Sequence, residues 1–241
     1  MCVGLLALSS QAQELTLKTV RQANSLVKYD PANADQPGLC HEIIKAVERV
    51  DPGLRFVGLD KLAPLKRVER LLADGEVDVV FCLLRSPGRE RQWRFLPQPL
   101  YTVRQVVAQR VDDPRQIDSL GDLARGSYTK PVLVSRGTIL TRRLDAANVQ
   151  INEVSSEREA LQMLVMGRAD AVYGQDVNLL RHMRDAQLGS KVRLGRVGFG
   201  DDMQYVAVRT GLPAAHEERL MQALRRLDRE GVLRQLADKY R

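Results

Sequence analysis

Ser86-Pro87-Gly88-Arg89 is the segment of this chain best suited to hold a small anion. It follows directly on Val77–Leu84, a continuous apolar run of the kind a parallel strand shows when both its faces are covered. The segment therefore falls at a strand's carboxyl end, where open α/β sheets place their ligands. A guanidinium there offers a planar fork to a carboxylate, with Leu84 beside it; an arginine in an exposed turn would read the same way. A second candidate is Gly137-Thr138, which follows the strand Pro131–Ser135 and opens a helix over Ile139–Ala147. Its hydroxyl and free N–H groups favour an anion, or simply cap the helix. The third is Gln175-Asp176, after a strand over Ala171–Gly174. Neighbours on a continuing strand face opposite ways, so only one of the two can point inward. An inward Asp176 calls for a cationic amine, because a buried carboxylate needs a charge partner. An inward Gln175 supplies neutral donors and acceptors, and leaves Asp176 to cap a helix beginning at Val177.

Other chemistry has little support. His41, His182 and His216 are far apart, and there is no H-E-x-x-H or Cys-x-x-Cys, so neither a metal nor a cofactor is expected. No G-x-S-x-G elbow or P-loop lysine motif occurs. Gly195-Arg-Val-Gly198-Phe-Gly200 has the wrong order for a dinucleotide loop and reads as a turn. The 241 residues are 44% hydrophobic and 28% charged, the composition of a soluble globular chain. The net charge is +7, and with 37 Lys+Arg of which 8 are lysine, the excess is carried by arginine. Those arginines are spread along the chain, which suits a solvated surface or the steering of small anions. Nothing concentrates them for nucleic acid, and aromatics at 5% are too few for a stacking platform.

The elements that must position these residues alternate between strand and helix patterns, as in an α/β protein. Leu15–Arg21 alternates with period two; Leu39–Val50 and the segment from Leu65 to Leu72 place apolar residues on one helical face. Leu72-x-x-Gly75-x-x-Asp78-x-Val80 recurs as Leu164-x-x-Gly167-x-x-Asp170-x-Val172, each a helix end, a glycine able to take positive φ, and a buried strand. Ser156 and Glu159 form a capping box ahead of the second copy. Two lobes built alike would give this echo. Gln105–Arg110 and Tyr205–Arg209 are strands suited to cross between them. Met1–Ala12 (MCVGLLALSSQA) reads as the later part of a secretory signal with a small-x-small site at Ser10-Gln11-Ala12. Export would leave Cys40 and Cys82 as a pair in an oxidising compartment, either bridged or simply buried.

Taken in order, these segments resemble the family 3 solute-binding proteins of ABC transporters, over most of the chain from Leu15 to Arg241. Gly38-Leu39-Cys40-His41-Glu42 is similar to the segment opening the family's first helix, and Ser86-Pro87-Gly88-Arg89 to its Thr-Pro-Glu-Arg signature. Phe95–Tyr101, Ser119-Leu120-x-Asp122-Leu123, Gly137-Thr138 and Gly167-x-x-Asp170-Ala171-Val172 follow in the family's order, with Gly231–Tyr240 as its terminal helix. The resemblance implies an α/β two-lobed, type II binding-protein clamshell with a two-strand hinge. One lobe would take residues 14–106 and 206–241, the other 107–205. It also implies that Arg89 pairs with a ligand carboxylate, helped by Ser86, Gly137 and Thr138. The position that usually receives an α-amino group is Gln175, beside Asp176. Ser stands for Thr and Gly for Glu in the arginine signature, and of the family's first-lobe aromatic pair only Tyr29 lies nearby.

The expected function is capture of a small anionic or zwitterionic ligand, an amino acid or organic acid, for an inner-membrane ABC permease. The protein would be a periplasmic monomer without catalytic residues. The alternatives are a cyclohexadienyl-dehydratase-like enzyme, with Glu42 or Asp176 as its acid, and a sensory accessory protein.

Overall fold

The computed structural model describes residues 14–125 and 129–241, so the segment Met1–Ala12 lies outside the described residues. The first expected strand is short: Leu15–Lys18 forms β1, and Arg21–Gln22 forms a separate β2. Leu39–Val50 is α1, with Ile43, Ile44 and Val47 buried as their spacing requires. Then come β3 (Leu54–Val57), β4 (Leu62–Ala63), α2 (Leu65–Ala73), β5 (Val79–Leu84) and the single-turn α3 (Pro87–Glu90). The 17-residue β6 runs from Arg94 to Arg110. After it lie α4 (Leu120–Arg125), β7 (Val132–Ser135), α5 (Leu140–Ala146), β8 (Ile151–Val154) and α6 (Glu157–Val165). The chain closes with β9 (Val172–Gln175), α7 (Asp176–Asp185), β10 (Val192–Leu194), β11 (Asp201–Val208), α8 (Ala214–Arg229) and α9 (Val232–Lys239).

The main sheet has the order β5-β11-β6-β9-β7-β8, with β10 added to β6. All six residues of β5 are buried. Its ladder is antiparallel, to β11, and not the parallel one its apolar run suggests. An apolar run reports that both faces are covered, and antiparallel strands can be covered on both faces too. β6 pairs with β11 from Arg94 to Arg104, then with β9 from Gln105 to Ala108. One strand thus belongs to both lobes, and β11 runs beside it as the second crossing. The glycine-rich segment, expected as a turn, is an irregular connection from β10 to β11 laid along β6: Phe199 N–H donates to Gln105 C=O at 2.8 Å, and Gln105 N–H to Gly200 C=O at 3.0 Å.

The apolar residues separate into two groups of cores. Leu17, Ile43, Phe81, Val206 and Leu224 share one, with Val68, Leu72 and Trp93 forming a satellite across β5. Leu133, Leu161, Val172 and Leu179 pack together on one face of the second lobe's sheet, and Val107, Val134, Leu144 and Tyr173 on the other. The echo is realised in full. Gly75 and Gly167 both take positive φ, 75° and 68°, and each following aspartate holds a neighbouring segment. Asp78 accepts from Lys18 N–H at 2.8 Å and Arg209 Nε at 2.7 Å. Asp170 accepts from Thr129 N–H at 3.2 Å and pairs with Arg115 at 3.5 Å.

Cys40 of α1 and Cys82 of β5 are joined by a disulfide, with Cα atoms 6.2 Å apart, inside the roughly 7 Å that a bridge allows. This settles the choice the sequence left open between a bridge and two buried thiols.

Candidate functional site

A cavity of about 60 Å³ lies where the lobes meet, room for a few water molecules. Its first-lobe wall is built by α1's approach. Gly38 sits at φ 109° with no side chain, and a Cβ there would fall 2.3 Å from the Lys28 carbonyl. That close approach lets the Lys28 carbonyl accept from the Cys40 and His41 N–H groups at 3.1 and 3.3 Å, satisfying the free donors at the helix start. The backbone so fixed points the Lys28 side chain into the cavity wall. Its ammonium donates to Cys82 C=O at 2.7 Å and to Gln22 Oε1 at 3.1 Å. Burial, reinforced by the Arg89 charge, lowers the Lys28 pKa to about 7, while Glu157 acts in the opposite direction.

Arg89 also lines the cavity and is buried, but its fork is not free. Nε and Nη2 both donate to Glu69 Oε1 of α2, at 2.9 and 2.5 Å, and Nη1 donates to Leu84 C=O at 2.8 Å. An internal carboxylate therefore occupies the edge that was expected to meet a ligand. Leu84 lines the cavity as expected. Ser86 does not; its hydroxyl caps α3 by accepting from Arg89 N–H at 3.4 Å. Thr138 reaches the cavity, with its hydroxyl donating to Ser135 C=O at 3.0 Å in place of capping a helix. Gly137 turns the chain beside the Lys66 stem of the first lobe and is not part of the cavity wall. Tyr29 belongs to the first lobe's core and does not line the cavity.

At the end of β9 the two neighbours divide as their alternation requires. Gln175 lines the cavity, accepting from the Asn178 side-chain amide at 3.3 Å. Asp176 turns away and accepts from Arg104 N–H at 3.1 Å and Val177 N–H at 2.8 Å, pinning α7 to β6. Glu42, the other acid considered for an enzyme, accepts from Lys239 Nζ at 2.8 Å and the Tyr240 hydroxyl at 2.5 Å, and so ties α9 to α1.

Sequence reasoning missed Lys28 and Glu157. Glu157 is the first residue of α6, behind the Ser156 cap, and is buried on the second-lobe wall. Burial raises its pKa to about 7, opposed by the Gln175 N–H and the Lys28 charge. An acid at the start of a helix usually reads as a dipole partner, and no local signal marks it as facing a cavity. Beside the cavity the lobes are joined directly: Arg181 Nη2 of α7 donates to Asp30 Oδ2 at 2.6 Å, and Arg181 Nε bonds both Asp185 oxygens at 2.9 Å.

No family model matches the sequence, and no curated protein matches it. Solved structures do share its shape. A histidine kinase sensor domain similar to periplasmic binding proteins superposes with a TM-score of 0.80 at 22% identity, covering 95% of this chain and 96% of its own. An ancestral amino-acid-binding protein, a precursor of cyclohexadienyl dehydratase, gives 0.74 at 21% identity over 93% and 95%. The substrate-binding protein of an amino acid ABC transporter gives 0.73 at 18% over 93% and 98%. With β6 and β11 as its two crossings, the chain has the two-lobed fold of the periplasmic binding proteins.

Proposed function

We propose that this chain is a periplasmic solute-binding protein that closes around a small carboxylate-bearing ligand, an amino acid or organic acid, and delivers it to an inner-membrane ABC permease. The observation that carries this reading is the buried Lys28 ammonium on the first-lobe wall of the interlobe cavity, with Arg89 beside it and held by Glu69. There a desolvated carboxylate would receive charge-assisted hydrogen bonds, and closure would follow from tighter binding to the closed form. The amino acid transporter's binding protein, sharing the fold, supports this role. In this reading the protein is a secreted monomer whose lobes are residues 14–106 with 206–241, and 107–205.

The test is native mass spectrometry of the purified protein for a co-purified ligand, followed by a thermal-shift panel of amino acids and small organic acids. Stabilisation by at least one carboxylate, with compaction in small-angle scattering, is the expected outcome. Stabilisation by none would overturn the reading. A sensory role is the second reading, favoured by the fit to the histidine kinase sensor domain; a gene neighbourhood holding a kinase and no permease would select it. Turnover of prephenate would instead select the dehydratase.

A further inference from the structure

We infer that Glu157 receives the cationic end of the ligand, taking the place that Gln175 leaves neutral, and that the ligand is a compact zwitterion held between Glu157 and the Lys28–Arg89 wall. This rests on the carboxylate reading above and adds to it a second charge and a residue for that charge. Four observations meet here. Glu157 is 7% exposed, yet it lines the cavity. Its partners are neutral and loosely held: it accepts from Gln175 N–H at a long 3.4 Å, and the Asn178 side-chain amide is the other donor beside it. Among the described residues no cation stands within salt-bridge distance of it; the Lys28 ammonium acts on it through space while donating to Gln22 and Cys82. Ser25, 4% exposed on the opposite wall, holds its hydroxyl in the same cavity with no partner.

A carboxylate buried without a cation is costly, and Glu157 answers by holding its proton up to about pH 7. A ligand ammonium placed between Glu157 and Gln175 would supply the missing cation. The ligand's own carboxylate would then face Lys28 and the free Ser25 hydroxyl. A carboxylic acid without an amine would leave Glu157 unpaired, so the amine sets the preference. Glu157 stands at the start of α6, and β9 supplies the N–H that positions it.

The test is calorimetry of the purified protein with glycine, L-alanine, L-serine and the other standard amino acids, each against its matching 2-hydroxy acid. We expect at least one amino acid to bind about tenfold to a hundredfold more tightly than its hydroxy counterpart, the range of one charge-assisted hydrogen bond. Glu157→Gln, which keeps the shape and removes the charge, should cut the amino acid's affinity by about that factor and bring the pair level. Asp176→Asn should leave the preference in place. Glu157→Asp, which keeps the charge, should retain part of the preference, and this separates a charge effect from misfolding. Equal binding of amine and hydroxyl ligands, or a preference that survives Glu157→Gln or vanishes in Asp176→Asn, would overturn the inference and leave the carboxylate reading standing. Binding of no member of the panel would overturn both.

Discussion

Arg181→Met removes the ion pair between the lobes, and its effect should appear in closure before it appears in unfolding. In this structure the Arg181 and Asp30 side chains are 9% and 8% exposed and their contact is 2.6 Å. Stranding one member of such a buried pair costs about 3–5 kcal/mol. Here the molecule has a cheaper response than unfolding, because opening the cleft returns Asp30 to water. Closure should therefore weaken by up to about 3 kcal/mol, roughly a hundredfold in the closed-to-open ratio. Asp30→Asn should cost less, about tenfold, because Arg181 keeps both oxygens of Asp185. Asp185→Asn should change closure by less than about 0.5 kcal/mol, since that carboxylate is 42% exposed. Small-angle scattering of the ligand-free protein measures the opening, and urea unfolding measures global stability. An Arg181→Met protein with unchanged scattering but a lower unfolding midpoint would refute the argument, because the pair would then hold a lobe together and not the cleft.

Arg89→Ala should lower stability by about 1–3 kcal/mol in urea unfolding, because Glu69 loses two charge-assisted hydrogen bonds while keeping its pair with Lys66, whereas Glu69→Gln should free the fork and tighten a carboxylate ligand about tenfold in calorimetry. The Cys40–Cys82 bridge spans 42 residues and should contribute about 4 kcal/mol by loop entropy; a denatured thiol count should find neither cysteine reactive until reductant is added. The ligand-free protein should be least stable near neutral pH as far as two groups are concerned. Glu157, held up at about 7, binds more protons folded than unfolded, so stability falls as pH rises from about 4.5 to 7. Lys28, held down at about 7, binds fewer protons folded than unfolded, so stability recovers from about 7 towards 10.5. Glu157→Gln should flatten the first limb of a Tm-against-pH curve and Lys28→Met the second; unchanged limbs would contradict the burial of these groups.

What could be read from the sequence was local. The faces of α1 and α2, the Ser156 cap and both copies of the glycine-aspartate joint depend on residues a few positions apart, which a one-dimensional pattern records. The partner of β5 did not show, because β11 lies more than a hundred residues away. The site divided in the same way. Arg89, Leu84, Thr138 and Gln175 stand at the ends of legible elements and reach the cavity. Glu69 follows Lys66 by three residues on α2 and pairs with it, and nothing in that local spacing shows its reach to Arg89, twenty residues on. Between β2 and α1 the chain follows no period, so nothing said which of Lys28 and Tyr29 faced inward; the charged residue took the cavity and the aromatic one the core.

The position of β11 in the sheet also sets an order of assembly on a chain made from its N-terminus. β11 lies between β5 and β6, and α8 packs onto the first lobe's core through Leu220 and Leu224. The lobe that begins first is thus finished last, after residue 200 has emerged. The second lobe's cores draw on one continuous stretch from Val106 to Val192, and that stretch can close on itself while the earlier lobe still lacks its central strand. Domains that fold during synthesis do so as units once their segments are available. A nascent chain released before β11 would carry a complete second lobe beside a first lobe with β5 exposed along its edge, the kind of open strand that invites aggregation. Truncations ending near residue 195 should therefore be soluble only as far as the inserted lobe can mask that edge, and the last strand is the step on which completion of the first lobe depends.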